Sequence, residues 1–160
     1  MTFDDDFDEL AALAYRAAFR VLGSRSEAEE VAQETMIRAL VRWRRVRSHG
    51  RAWVCRVAVN EAIGIIRKRR TVELSETPAR AGGQDGAGDR IDLQRALLTL
   101  PRRQREVLVL RYLVDLPEAE VAEELGIGLG SVKTHAHRAL AAMRIALPDH
   151  HSGPLEAFDV

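Results

Sequence analysis

Residues 118–140 read "EAEVAEELGIGLGSVKTHAHRAL". Two amphipathic runs meet here across a few glycine-rich residues. Pro117 suits the start of the first run, and Val121, Ala122 and Leu125 give it one apolar face. Gly126 is the stop, because glycine takes the left-handed conformation of a helix end at least steric cost. Three or four residues then turn the chain, and a second helix starts near Gly128–Gly130, where glycine is an acceptable N-cap. Val132, Ala136, Ala139, Leu140 and Met143 recur at helical spacing as its buried stripe. Ser131, Lys133, Thr134, His135, His137 and Arg138 are left facing outward. This is helix-turn-helix grammar, and the second helix of such a motif enters the DNA major groove N-terminal end first. Lys133 and Arg138 can bond phosphates or guanine edges, and Ser131 and Thr134 can bond bases or backbone. His135 and His137 are two apart on a helix and cannot both face one metal ion.

Upstream of this motif, "IDLQRALLTL" from Ile91 is a short amphipathic helix. Pro101 suits the first position of the next helix, "PRRQREVLVLRYLV", with Val107, Leu108, Leu110 and Leu113 inside. Further back, "TVELSETPARAGGQDGAGDR" is rich in glycine, alanine and polar residues and has no stripe, so residues 71–90 read as a flexible linker. Its twenty residues reach at most ~70 Å stretched and ~25 Å on average as a coil.

The first 70 residues show three more helical stripes. Phe7, Leu10, Ala14, Ala17 and Val21 form one. Gly23 ends it, and Ser24 or Ser26 caps the next, whose stripe is Val31, Thr35, Ala39 and Trp43. Glu27, Glu29 and Glu30 sit in its first turn, where the helix dipole favours anions. "RVRSHG" interrupts the pattern. A third helix starts near Arg51, buries Trp53, Val57 and Ala58 or their neighbours, and reaches "RKRR" at 67–70. Gly64 weakens its last turns. The expected fold is all-α: two small helical domains, 1–70 and 91–147, joined by the linker, the second a helix-turn-helix, with a frayed tail over 148–160.

Composition supports helices over sheets, since aromatics are only 5%. A single cysteine, Cys55, excludes an internal disulfide framework and a cysteine-based zinc site. No metal or cofactor is expected. No apolar run approaches the ~18 residues of a bilayer span, and the acidic opening residues are unlike a secretion signal. A cytoplasmic, nucleoid-associated protein without a membrane span is expected.

Net charge is zero, with 24 basic and 24 acidic residues, but the charges are sorted. Eleven of the bases fall between Thr35 and Arg70, against one acid, Glu61, whereas the first 34 residues hold nine acids and three bases. A solvated helix face usually mixes signs. A one-signed block of this size fits a polyanionic partner.

Both halves resemble one family. "AEEVAQETMIRAL" followed by "RAWVCRVAVNEAIGIIRKRR" is similar to region 2 of bacterial sigma factors. "LLTLPRRQREVLVLRYLVDLPEAEVAEELGIGLGSVKTHAHRALAAMR" is similar to region 4. The order, with a short linker and no region 3, resembles the extracytoplasmic-function (ECF) group of the sigma-70 family across about residues 7–147. The resemblance implies a non-catalytic protein that binds core RNA polymerase and directs it to promoter DNA. It implies that Glu30, Gln33, Glu34 and Arg38 dock on the clamp coiled coil of the β′ subunit. Arg47, Ser48 and His49 would capture a flipped base of the −10 element, Arg56 would hold phosphate, Asn60 would meet a base edge, and Arg67, Lys68, Arg69 and Arg70 would grip upstream duplex. Trp43 and Trp53 either stack on bases or serve the core. Region 4 would read the −35 duplex through Ser131, Lys133, Thr134, His135, His137 and Arg138, while "REVLVLRYL" partly faces the β flap. An anti-sigma factor is a further partner the family admits.

Rival readings predict different behaviour. "SVKTHAHRAL" also resembles the recognition helix of LuxR-type regulators, which bind duplex DNA without polymerase, but their partner domains normally carry strands and the first 70 residues show none. A small nuclease would need paired carboxylates, a metal cluster or an activated nucleophile near the basic block. A sigma-like protein without promoter activity would bind polymerase and stop there.

Overall fold

The structure, a computed structural model, describes residues 2–75 and 87–147. The centre of the segment read as a linker and the tail from Pro148 lie outside the described residues.

The first three helices build one layer-on-layer bundle. Helix α1 spans Phe3–Leu22, with the Thr2 N–H donating to Asp5 at its start (2.7 Å) and Gly23 closing its end. Helix α2 spans Arg25–Val46. The Glu27 N–H donates to Ser24 Oγ, so Ser24 rather than Ser26 is the cap. A single 3₁₀ turn, Arg47–His49, replaces the open loop expected at "RVRSHG", and α3 runs Gly50–Ser75. The connection is this tight because Gly50 is buried against an aromatic ring: a Cβ there would lie 3.2 Å from Trp43 Cζ3. Leu10, Ala14, Ala17 and Val21 are buried as expected, but Phe7 is 42% exposed. Trp53 is core, and Trp43 packs edge-on against Phe3. Helix α3 passes straight through Gly64 and continues five residues into the segment read as linker.

The second bundle begins with α4, Ala87–Thr99, so helix also occupies the far end of that segment. Pro101 stands at the cap position, one place before the first helical residue, and its carbonyl accepts the Arg105 N–H (3.0 Å). Helix α5, Arg102–Leu108, widens into a π-helical turn over Val109–Leu113. Helices α6, Glu118–Leu125, and α7, Leu129–Ala146, form the helix-turn-helix, with Gly126 at φ 63° and Gly128 as the α7 cap. Val132, Ala136, Ala139 and Met143 bury one face of α7. Among the described residues there is no strand.

Val107, Leu108, Val109 and Leu110 are all fully buried, four in a row. A helix apolar all round must be covered from every side. Here α7 covers α5 from one side, and the π-turn packs against α1 and α3 of the first bundle. The two bundles therefore share a core. Two side chains of α4 add directional bonds across the seam. Arg90 donates to the Phe19 and Arg20 carbonyls, and Gln94 Nε2 donates to the Val21 carbonyl (3.0 Å), so both satisfy the free C-terminus of α1.

Candidate nucleic-acid interface

The exposed bases of the block fall in two groups, one at the end of α2 and the 3₁₀ turn and one late in α3. Arg42, Arg44, Arg45, Arg47 and Ser48 are exposed, as are Arg67, Lys68, Arg69 and Arg70. Glu61, the one acid in the block, pairs with Arg38 Nη1 at 3.2 Å, and Arg38 also bonds Glu34 at 3.0 Å. The pairing neutralises the exception, but the folded surface mixes signs: Arg51 Nε lies 3.4 Å from Glu9 Oε1, and Arg56 and Arg69 also meet acids from outside the block. Arg69 is the member of the terminal cluster with a partner in the first bundle, Glu27.

His49, Arg56 and Asn60 come together, half-buried. Each faces an acid of the second bundle. Arg56 Nε bonds Glu124 Oε1, His49 Nε2 lies 3.4 Å from Glu124 Oε2, and Asn60 Nδ2 donates to Glu106 Oε1 at 3.3 Å. Both carboxylates are sealed: the Glu124 and Glu106 side chains are each 1% exposed. Burial pushes the Glu124 carboxyl above the usual carboxylate range, despite the opposing pull of Arg56 and His49. Glu106 also receives Arg102 (3.1 Å) and Arg103 (2.9 Å). Beside this cluster a cavity of about 400 Å³ is lined by Trp43, Arg47, Ser48 and His49, and by Glu120 and Glu123 of α6.

On α7, Ser131, Lys133, Thr134, His137 and Arg138 are exposed along one face from the helix N-terminus. His135 is turned partly inward, and its Nδ1 is buried without a hydrogen-bond partner. Thr134 Oγ1 donates to the Gly130 carbonyl (2.9 Å), so its hydroxyl is already engaged within the helix. This face and the −10 candidates lie on different bundles.

The sigma-70 region 2 family matches residues 7–72, and the sigma-70 region 4 family matches residues 90–143. The ECF RNA polymerase sigma factor SigL of Mycobacterium tuberculosis is 33% identical, over 89% of this chain and 87% of its own. The ECF RNA polymerase sigma factor SigW of Bacillus subtilis is 31% identical, over 92% and 89%. The chain belongs to the ECF group of RNA polymerase sigma factors. A solved complex of the sigma factor RpoE with the anti-sigma factor NepR from Bartonella quintana shares the fold, with TM-score 0.59 at 23% identity, over 93% of this chain and 98% of that one. The sigma factor's partners are thus RNA polymerase and promoter DNA, and the LuxR-type alternative is set aside because both halves match sigma regions in order. Among the described residues no helix is long and apolar enough to cross a membrane.

Glu30, Gln33 and Glu34 of this sigma factor are exposed along α2, with Arg38 half-buried one turn on. Sequence reasoning missed their apolar neighbours. Ile37, Leu40 and Val41 are 60%, 57% and 81% exposed, and Phe7 stands beside them across a shallow groove. Their signal was present as a second apolar stripe at i, i+3 and i+4, opposite the buried one. Glu106 and Glu124 were also missed, and they had no such signal: each looks like any acid on an amphipathic helix.

Proposed function

We propose that the two bundles divide promoter recognition, and that α2 carries the polymerase contact. Glu30, Gln33, Glu34 and Arg38 would dock on the β′ clamp coiled coil, with Ile37, Leu40 and Val41 supplying the apolar centre such an interface needs. Arg47, Ser48 and His49 would form the capture site for an extruded −10 base. Extrusion costs a few kcal/mol, which phosphate contacts from Arg56 and the Arg67–Lys68–Arg69–Arg70 cluster and a base-edge contact from Asn60 would offset. Ser131, Lys133, Thr134, His135, His137 and Arg138 would read the −35 duplex, and the apolar π-turn would meet the β flap. Domain 1–70 would carry polymerase binding and −10 recognition, and domain 91–147 would carry −35 recognition. The protein works without a reaction of its own, in the cytoplasm at the nucleoid. The solved neighbour is bound to an anti-sigma factor, and a partner of that class is proposed here by analogy.

The exposed bases Arg42, Arg44, Arg45 and Arg47 beside the 3₁₀ turn and Arg67, Lys68 and Arg70 on α3, with the block's single acid paired to Arg38, are the observation that carries this assignment. Transcription with purified core polymerase on a promoter library tests it. Asn60→Ala is expected to weaken promoter opening more than initial duplex binding, and Arg138→Ala to weaken closed-complex formation. Each lost base-edge contact is worth about 1–3 kcal/mol, roughly five- to hundredfold. Equal effects of both changes on closed-complex formation would refute the division of labour.

A further inference from the structure

The residues assigned to −10 DNA are occupied by the protein's own second half. Glu124 sets a carboxylate against Arg56 and His49, where a phosphate would stand, and Glu106 offers Asn60 the acceptor a base edge would offer. The apolar π-turn of the second bundle, Val109–Leu113, is at the same time covered by α1 and α3. Each half thus hides the surface that the other would need. We propose, resting on the assignment of Arg56, His49 and Asn60 to promoter DNA, that this packing is a self-latched silent state, with Glu106 and Glu124 as internal stand-ins for nucleic acid.

The latch has two ends, and they differ in chemistry. At the DNA face it is largely ionic, with both carboxylates buried while Arg56 and His49 stay partly exposed. At the far end it is made of neutral acceptors, with Arg90 and Gln94 on the carbonyls that terminate α1. Burying two carboxylates carries a desolvation penalty that their partners offset only in good geometry. Such a contact releases readily once a competing surface engages either half, which is what a factor that must open on polymerase requires. A closed population of about 90% would lower apparent affinity for single-stranded DNA about tenfold.

The test uses the free full-length chain, with donor and acceptor dyes on Glu29→Cys and Arg144→Cys for energy transfer, and an unlabelled chain with a fluorescein-labelled random single-stranded 12-mer for binding. The Glu106→Gln/Glu124→Gln variant should lower energy transfer and tighten 12-mer binding about tenfold. Arg90→Ala/Gln94→Ala, which opens the far end without altering any charge at the DNA face, should do the same. Asp8→Asn/Asp115→Asn, which removes two charges from exposed acids outside the cavity, should match the parent chain in energy transfer and binding. Core polymerase should lower energy transfer in the parent chain. Energy transfer unchanged in both latch variants, with 12-mer binding no tighter than in Asp8→Asn/Asp115→Asn, would overturn the latch. If both readouts respond as expected but no variant supports transcription with core polymerase, the latch stands and the promoter assignment falls instead.

Discussion

Cys55 is fully buried on α3, and loss of solvation pushes its thiol up to about 12. The thiolate is the reactive form, so at pH 8 only about one thiol in ten thousand is available. Native protein at pH 8 should therefore resist iodoacetamide, and mass spectrometry should find alkylation only after urea is added. Rapid modification of the native chain would show that α3 opens locally. Single residues also mark how far the sequence could be read. Arg38 was legible as a surface residue one turn from Glu34, but its bond to Glu61 was not, since 23 positions separate them in the chain. Arg105 looks like one basic residue among several, yet it is buried and donates to the Leu97 and Leu100 carbonyls, closing the end of α4.

At the scale of elements, punctuation decided most boundaries. Gly126 and Pro117 bound α6 where the pattern put them, because both act through their own backbone. Gly64 misled for the same reason: its helix cost is intrinsic, but neighbours on α1 and α2 hold α3 in shape regardless. A Cβ at Gly64 would meet nothing within 4 Å. Gly64→Ala should accordingly raise stability by about 0.5–1 kcal/mol in urea titration. Gly126→Ala also meets no atom, but its φ of 63° forces a side chain into left-handed backbone. It should cost about 1–2 kcal/mol by the same measurement. A stabilised Gly126→Ala would mean that the turn relaxes to another conformation. The 3₁₀ turn at Arg47–His49 was illegible, because what tightens it is the Trp43 ring over Gly50, a contact between elements.

Over the whole molecule, the shared core sets the arrangement. Leu110 lies fully buried in the π-turn between the two bundles, so Leu110→Ala should cost about 2–5 kcal/mol in urea titration. A loss well below that would indicate that the bundles part before either unfolds. The sequence alone determined the helices, their buried stripes, the helix-turn-helix and the sorting of charge, because each follows from spacing or composition within one segment. Only the tertiary structure decided that the two halves pack together, that Glu106 and Glu124 rather than other acids meet Asn60, Arg56 and His49, and that Ile37, Leu40 and Val41 stay bare. Local periodicity states which face of a helix is apolar or charged. Which distant face covers it depends on shape and desolvation summed over both partners, and that is settled only when the chain is folded.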